Sequence, residues 1–248
     1  MEWAGNGAKA QRTLGRAVEA GREQAWRLGL TAISLDGVAS AAGLSRSGLL
    51  SRCRSAVELQ VGIAADWRQE IERTACEAAR SEGGVRGAWA FCREWLTHPA
   101  IRGAPVDVLR GDCSADSGAP DRRPRRSVAG ALRVVFKALS AALEEARRSG
   151  DLLPGVDPEG IAFQLESLLL SWPWAARAFG VRRAVERIAS ACWAILEGAC
   201  ADLEAPLPPL SPELQRILGE SPQSEVAPSC EGEDDPSPAF PGVSPLEF

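Results

Sequence analysis

The stretch GLTAISLDGVASAAGLSRSGLL, residues 29–50, places two helix starts around one tight turn. Ser34 can cap a short helix through Val38 and Ala42, Gly43 ends that helix, and Ser45 can cap the next. Small Ala39 lets the two helices approach, and Val38, Ala42, Leu44 and Leu49 form an apolar seam between them. This is the spacing of a helix-turn-helix, whose second helix is free to turn its N-terminal residues toward base edges in a major groove. Ala-x-x-x-Gly before an amphipathic helix also occurs in ordinary bundles, so the flanking sequence has to decide.

Working outward, the flanks read as helix after helix. Leu14, Ala17, Val18, Gly21, Ala25 and Leu28 share one helical face before the Gly29 stop. Ser55 and Glu58 form a capping box that opens a long helix carrying Leu59, Ile63, Trp67 and Ile71. Val85, Trp89, Cys92 and Leu96 make a shorter helix that ends at His98-Pro99, because a residue before proline avoids helical geometry. Residues 111–125, GDCSADSGAPDRRPR, read as a loop.

From about 126 the period returns through Val128, Leu132, Val135, Leu139, Leu143 and Ala146. Arg147 and Arg148 suit the negative helix end there, and Gly150 fits the C′ position. Asp157-Pro158 then opens a helix with Ile161, Leu165, Leu168, Leu169 and Trp172, which Pro173 should kink or shorten. The last helix, about 181–201, carries Val181, Val185, Ile188, Cys192, Ile195 and Ala199. No defensible strand pattern appears, so the expected fold is all-α.

Residues 203–248 hold ten of the chain's 17 prolines and nine acidic residues against one base, Arg216. Such a segment buries too little apolar surface to offset its ordering entropy and is expected to be a disordered, Pro-rich acidic tail, with 210–219 as a transient helix. Of the chain's 33 acids and 28 bases, 24 and 27 fall in residues 1–202, so the net charge of −5 belongs to the tail and the body is mildly basic. The seven cysteines (53, 76, 92, 113, 192, 200, 230) form no Cys-x-x-Cys pair and His98 is the one histidine. No metal site, cofactor or catalytic constellation is therefore expected. MEWAGNGAKAQR lacks an apolar signal segment and no run reaches the length of a membrane span, so a reduced, cytoplasmic protein is expected.

Residues 29–50 resemble the DNA-binding domain of the TetR family of bacterial one-component transcription regulators. Ser at the helix-two cap and Ala-Gly-x-Ser at the turn carry the likeness. A second stretch, GDLLPGVDPEGIAFQLESLLL at 150–170, is similar to the family's Gly-rich turn and Asp-Pro-Glu start of the first dimerisation helix. The resemblance implies a three-helix helix-turn-helix head joined by helix four to a helical ligand-binding and dimerisation body. The expected layout is a flexible N-terminal arm (1–10), the head (11–54), the body (55–202) and the tail (203–248).

The resemblance assigns Ser34 a phosphate contact, and Ser45, Arg46 and Ser47 the start of the recognition helix, where Arg can pair with guanine. Where the family has Tyr, His and Phe, this chain has Ser51, Arg52 and Cys53, and Ala56 replaces a Lys. Losing those phosphate donors reduces the log–log salt slope by about 0.9 per ionic contact. Arg52 and Arg54 are new cations in the same region, so the DNA-binding candidates are Ser34, Ser45, Arg46, Ser47, Ser51, Arg52 and Arg54.

Arg122, Arg123, Arg125 and Arg126 read as solvated surface, and Cys113 as a plain loop thiol. Trp89, Phe91, Trp95 and Trp172 fall on helices that line the effector pocket in the resembling family; aromatic residues at helical spacing also serve simply as core. The implied partners are a pseudo-palindromic double-stranded DNA operator, a small-molecule effector, and a second copy joined through helices 158–178 and 181–201, with no membrane. The implied function is a ligand-responsive transcriptional regulator, a repressor. The alternative is a TetR-like ligand-binding or protein-interaction module whose operator binding is weakened or lost.

Overall fold

A computed structural model describes residues 8–51, 53–98 and 122–200, and nearly all of them are helical. The helices are α1 (Ala8–Leu28), α2 (Leu35–Ala41), α3 (Arg46–Leu50), α4 (Ala56–Arg73), α5 (Ala75–Glu82), α6 (Gly84–Thr97), α7 (Arg123–Ser149), α8 (Pro158–Leu170), α9 (Trp172–Phe179) and α10 (Val181–Ala199). A single 3-10 turn, Leu30–Ala32, joins α1 to α2. The extended pairing among the described residues is one antiparallel bridge, Leu152 to Cys200. Residues 1–7, Arg52, Cys113, Cys230 and the acidic tail with its 210–219 segment lie outside the described residues, whereas residues 8–10, expected in the flexible N-terminal arm, already belong to α1.

The caps act as their residue types predict. Ser34, Ser45 and Ser55 accept hydrogen bonds from the backbone N–H of Gly37, Gly48 and Glu58 at 3.0, 3.1 and 3.2 Å. Asp157 accepts from Glu159 at 3.1 Å, with Pro158 as the first helical residue. Each such cap stabilises its helix by about 1 kcal/mol. Gly150 closes α7 in the left-handed conformation at φ 87° and ψ 10°. His98 takes extended geometry and ends α6 before Pro99.

One expectation needs correction, one is sharpened and one helix goes beyond them. Residues 123–125, read as loop, already belong to α7, since Pro124 fits a first helical turn where no N–H is required. Of the two outcomes expected of Pro173, the structure shows shortening: the span 158–178 is two helices, parted at Ser171. The long helix after Ser55 stops at Arg73, where Thr74 turns out of helical geometry (φ −110°, ψ −81°) and its hydroxyl donates to the Glu70 carbonyl at 2.6 Å. The short α5 that follows was not anticipated.

The core runs through both halves of the molecule. In the head, α1 packs on α2 and α3 and continues onto α4. In the body, α4 and α6 pack on α7, α5 folds back on α6, and α8 and α10 close the outer side. Trp67 of α4 and Trp95 of α6 meet edge to face at 5.9 Å, and Phe91 stacks on Trp95 at 6.0 Å. All three are buried, and each contributes on the order of 2–3 kcal/mol through its buried area. The α5–α6 hairpin closes only because position 87 is glycine: a Cβ there would lie 2.3 Å from the Ala79 carbonyl oxygen.

Candidate nucleic-acid interface and the body behind it

The turn between α2 and α3 is held from two sides. Gly43 takes φ 61°, which a side chain would strain, and an Arg16 guanidinium from α1 donates to the Ala42 carbonyl beside it. Leu49 and Cys53 are fully buried beneath α3. Burial, with a smaller contribution from the charge on Glu58, pushes the Cys53 thiol up to about 11, so at neutral pH it acts as a small apolar filler.

On the outer side, Ser34, Ser45, Arg46, Ser47, Ser51 and Arg54 are all exposed. A cap serine whose Oγ accepts from the backbone keeps its own proton, so Ser34 and Ser45 retain donors for an anionic oxygen. Glycine stands at the third helical position after each cap, Gly37 and Gly48, close against the serine oxygens. That Ser-x-x-Gly repeat was visible in the sequence. The Ser47 hydroxyl lies 3.4 Å from that of Ser45. Ser51 instead folds back on its own helix, donating to the Gly48 carbonyl at 2.8 Å as the C-cap of α3. Arg54 contributes its backbone N–H to the Glu58 carboxylate at 2.8 Å.

Sequence reasoning missed Asp36. Residues 43–57 contain no acid, yet the fold brings Asp36 from the first turn of α2 to the Arg46 guanidinium at 3.0 Å. Both side chains are 65% exposed, so the pair is worth no more than about 1 kcal/mol and yields readily to a stronger acceptor.

Of the four candidate pocket aromatics, all are buried as parts of ring pairs. Trp89 meets Trp193 of α10 edge to face at 5.1 Å, and Trp172 stacks on Trp26 of α1 at 6.5 Å. Arg177 of α9 lies 5.4 Å over the Trp26 ring and donates to the Trp26 carbonyl. A stack from α1 to α9 thus ties the head directly to the outer helices of the body. An open groove of about 410 Å³ lies elsewhere, between α5 and α7, with Cys76, Arg80, Lys137 and Glu145 along it. None of the four aromatics lines that groove. His98 sits 3.2 Å from Glu70, consistent with a helix-end residue.

Glu166, on α8, carries a carboxyl whose half-buried setting the sequence did not announce. Desolvation pushes its carboxyl up to about 7. The folded chain then holds a proton that the unfolded chain releases, so stability is greatest below pH 4.5, falls as the pH rises toward 7, and levels off above. Glu166→Gln should raise the unfolding free energy by about 2 kcal/mol at pH 8 and by much less at pH 5, as read from urea melts at the two pH values. An equal gain at both would show that the carboxylate charge is not the cause.

Among the described residues no helix is long and apolar enough to cross a membrane, and no group of three or more His, Cys, Asp or Glu could hold a metal ion.

Residues 84–192 match the model of the tetracyclin repressor-like C-terminal domain. No curated protein matches the chain. Among solved structures, a TetR-family transcriptional regulator from Agrobacterium tumefaciens is similar at TM-score 0.64 and 19% identity, over 77% of this chain and 100% of that one. Reduced NemR from E. coli gives 0.60 and 18% over 78% and 100%. SmeT, the repressor of the Stenotrophomonas maltophilia efflux pump SmeDEF, gives 0.57 and 16% over 80% and 99%. The helix-turn-helix head that feeds α4 into a helical body is the fold these structures share with this chain, and residues 84–192 match the tetracyclin repressor-like C-terminal domain family.

Proposed function

We propose that the protein is a homodimeric, ligand-responsive transcriptional repressor. Residues 11–54 would form its DNA-binding head, and 55–202 its effector-binding and dimerisation body. The observation that carries this reading is the surface of α2 and α3, where Ser34, Ser45, Arg46 and Ser47 present donors beside two capped helix starts. Two such heads related by a two-fold axis enter successive major grooves of a pseudo-palindrome, about 34 Å apart or somewhat more. SmeT and NalD, both repressors of multidrug efflux pumps by their descriptions, support repression over activation.

The dimer reading is supported by apolar surface on the outer helices. Phe163 of α8 and Trp174 of α9 are 63% and 53% exposed, an unfavourable arrangement for side chains of this size unless a protein covers them. The effector reading is supported by Trp95, whose buried Nε1 has no hydrogen-bond partner among the described residues. A ligand acceptor reaching that N–H would recover a desolvation cost of about 1–3 kcal/mol. An effector that favours wrongly spaced heads then opposes DNA through a coupling free energy, with the Trp26–Trp172–Arg177 stack as one physical link.

A second reading is favoured by the Asp36–Arg46 pair, whose carboxylate lies on the surface that the first reading turns toward DNA. In it, the same dimer binds a ligand or a protein with a head that no longer holds an operator. Capture of genomic fragments by the purified full chain separates the two. Enrichment of a discrete palindromic sequence, lost as salt is raised, supports the repressor. Recovery of random fragments alone sinks it in favour of the second reading.

A further inference from the structure

Seven cysteines are scattered along the sequence, and the fold brings two of them together. Cys92 lies on the buried face of α6 between Trp89 and Trp95, and Cys192 lies on α10 next to Trp193. The Trp89–Trp193 contact at 5.1 Å fixes the two helices side by side at this level. The Cys92 and Cys192 thiols meet across this α6–α10 seam, both fully buried and both reduced. The other described cysteines stand apart in separate surroundings. Cys53 is under α3, Cys76 is on the groove, and Cys200 donates to the Leu196 carbonyl at 3.0 Å.

We propose that Cys92 and Cys192 are a redox modification site, in which a peroxide oxidises the pair to a disulfide that staples α6 to α10. The chemistry closes in two steps. One thiol takes an oxygen from the peroxide: its S–H becomes S–OH, the O–O bond breaks, and one water leaves. The neighbouring thiol then attacks that sulfur, the S–S bond forms, and the hydroxyl departs with the second thiol's proton as a second water. Two electrons pass from the two sulfurs to the peroxide, so no other reductant or oxidant is required.

Burial governs the kinetics. The neighbouring Cys192 thiol and then desolvation hold the Cys92 thiol well above its ordinary range, so the thiolate is scarce and the first step waits on local opening of α6 from α10. Once one sulfur is oxidised, its partner is already in contact and closure is fast. The pair therefore responds to sustained oxidant rather than to a brief pulse. A closed disulfide keeps α6, and through Trp95 also Trp67 of α4, against α10. This inference depends on the fold alone and stands or falls independently of DNA binding.

The full chain, treated for hours with millimolar hydrogen peroxide under native conditions, is alkylated after unfolding and mapped with trypsin. The expected result is a dithiothreitol-sensitive link between peptide 87–93 and peptide 188–216 in most molecules, retained in Cys200→Ser and lost in Cys192→Ala. A Cys92 that remains free to alkylation while other cysteines have oxidised overturns the proposal. So does a link that persists in Cys192→Ala, which would assign it to Cys200. Cys92→Ala serves as the second variant if Cys192→Ala does not fold.

Discussion

Trp95→Ala should lower the unfolding free energy by about 3–5 kcal/mol, the range for removing a buried aromatic side chain. Trp95 is fully buried and joins α6 to α4 through Trp67, while Phe91 of its own helix stacks on it. Its loss leaves a cavity at the centre of the body, and the melting midpoint should fall by about 10 °C for a chain of this size. The indole N–H gives a control of opposite character. Because Nε1 has no acceptor among the described residues, Trp95→Phe removes an unmet donor together with one ring and should change stability by less than about 1 kcal/mol. Chemical denaturation of the full chain measures both variants. A Trp95→Ala cost below about 1 kcal/mol would mean that the aromatic cluster does not hold α4 to α6.

Arg46→Ala should weaken binding to the protein's own operator by about 10- to 100-fold, the discrimination a bidentate arginine–guanine pair supplies. The loss should fall chiefly on one base-pair position in each half-site. Arg54→Ala, by contrast, should weaken all duplexes alike and reduce the salt slope by about 0.9. Asp36 makes the Arg46 result sharper. Its carboxylate holds the guanidinium and, in the proposed complex, would face the same anionic backbone, so Asp36→Asn should tighten binding several-fold by freeing Arg46 and removing a repulsive charge. Fluorescence anisotropy across a salt series with operator and scrambled duplexes reads all three variants. If Arg46→Ala binds every duplex as the unsubstituted chain does, Arg46 does not read a base.

The sequence alone determined what depends on neighbouring residues. Ser34, Ser45, Ser55 and Asp157 cap helices because their oxygens reach an N–H two or three residues on, and Gly43 and Gly150 end helices because they accept positive φ. The all-α class and the helix-turn-helix follow from such local signals joined to apolar periodicity.

Only the tertiary structure decided the rest. The break at Thr74 has no Gly or Pro to mark it, because the Leu59–Ile63–Trp67–Ile71 stripe continues through Ala75. What α5 gains is a surface on α6, available only where Gly87 admits the Ala79 carbonyl. Asp36 meets Arg46, Trp26 meets Trp172, and Cys92 meets Cys192 across 10, 146 and 100 positions of chain. No local pattern encodes such pairs, because they arise from the angles at which packed helices cross and from which faces burial turns together. The charge set on α3 was legible in the sequence, whereas the carboxylate that tempers it came from another helix.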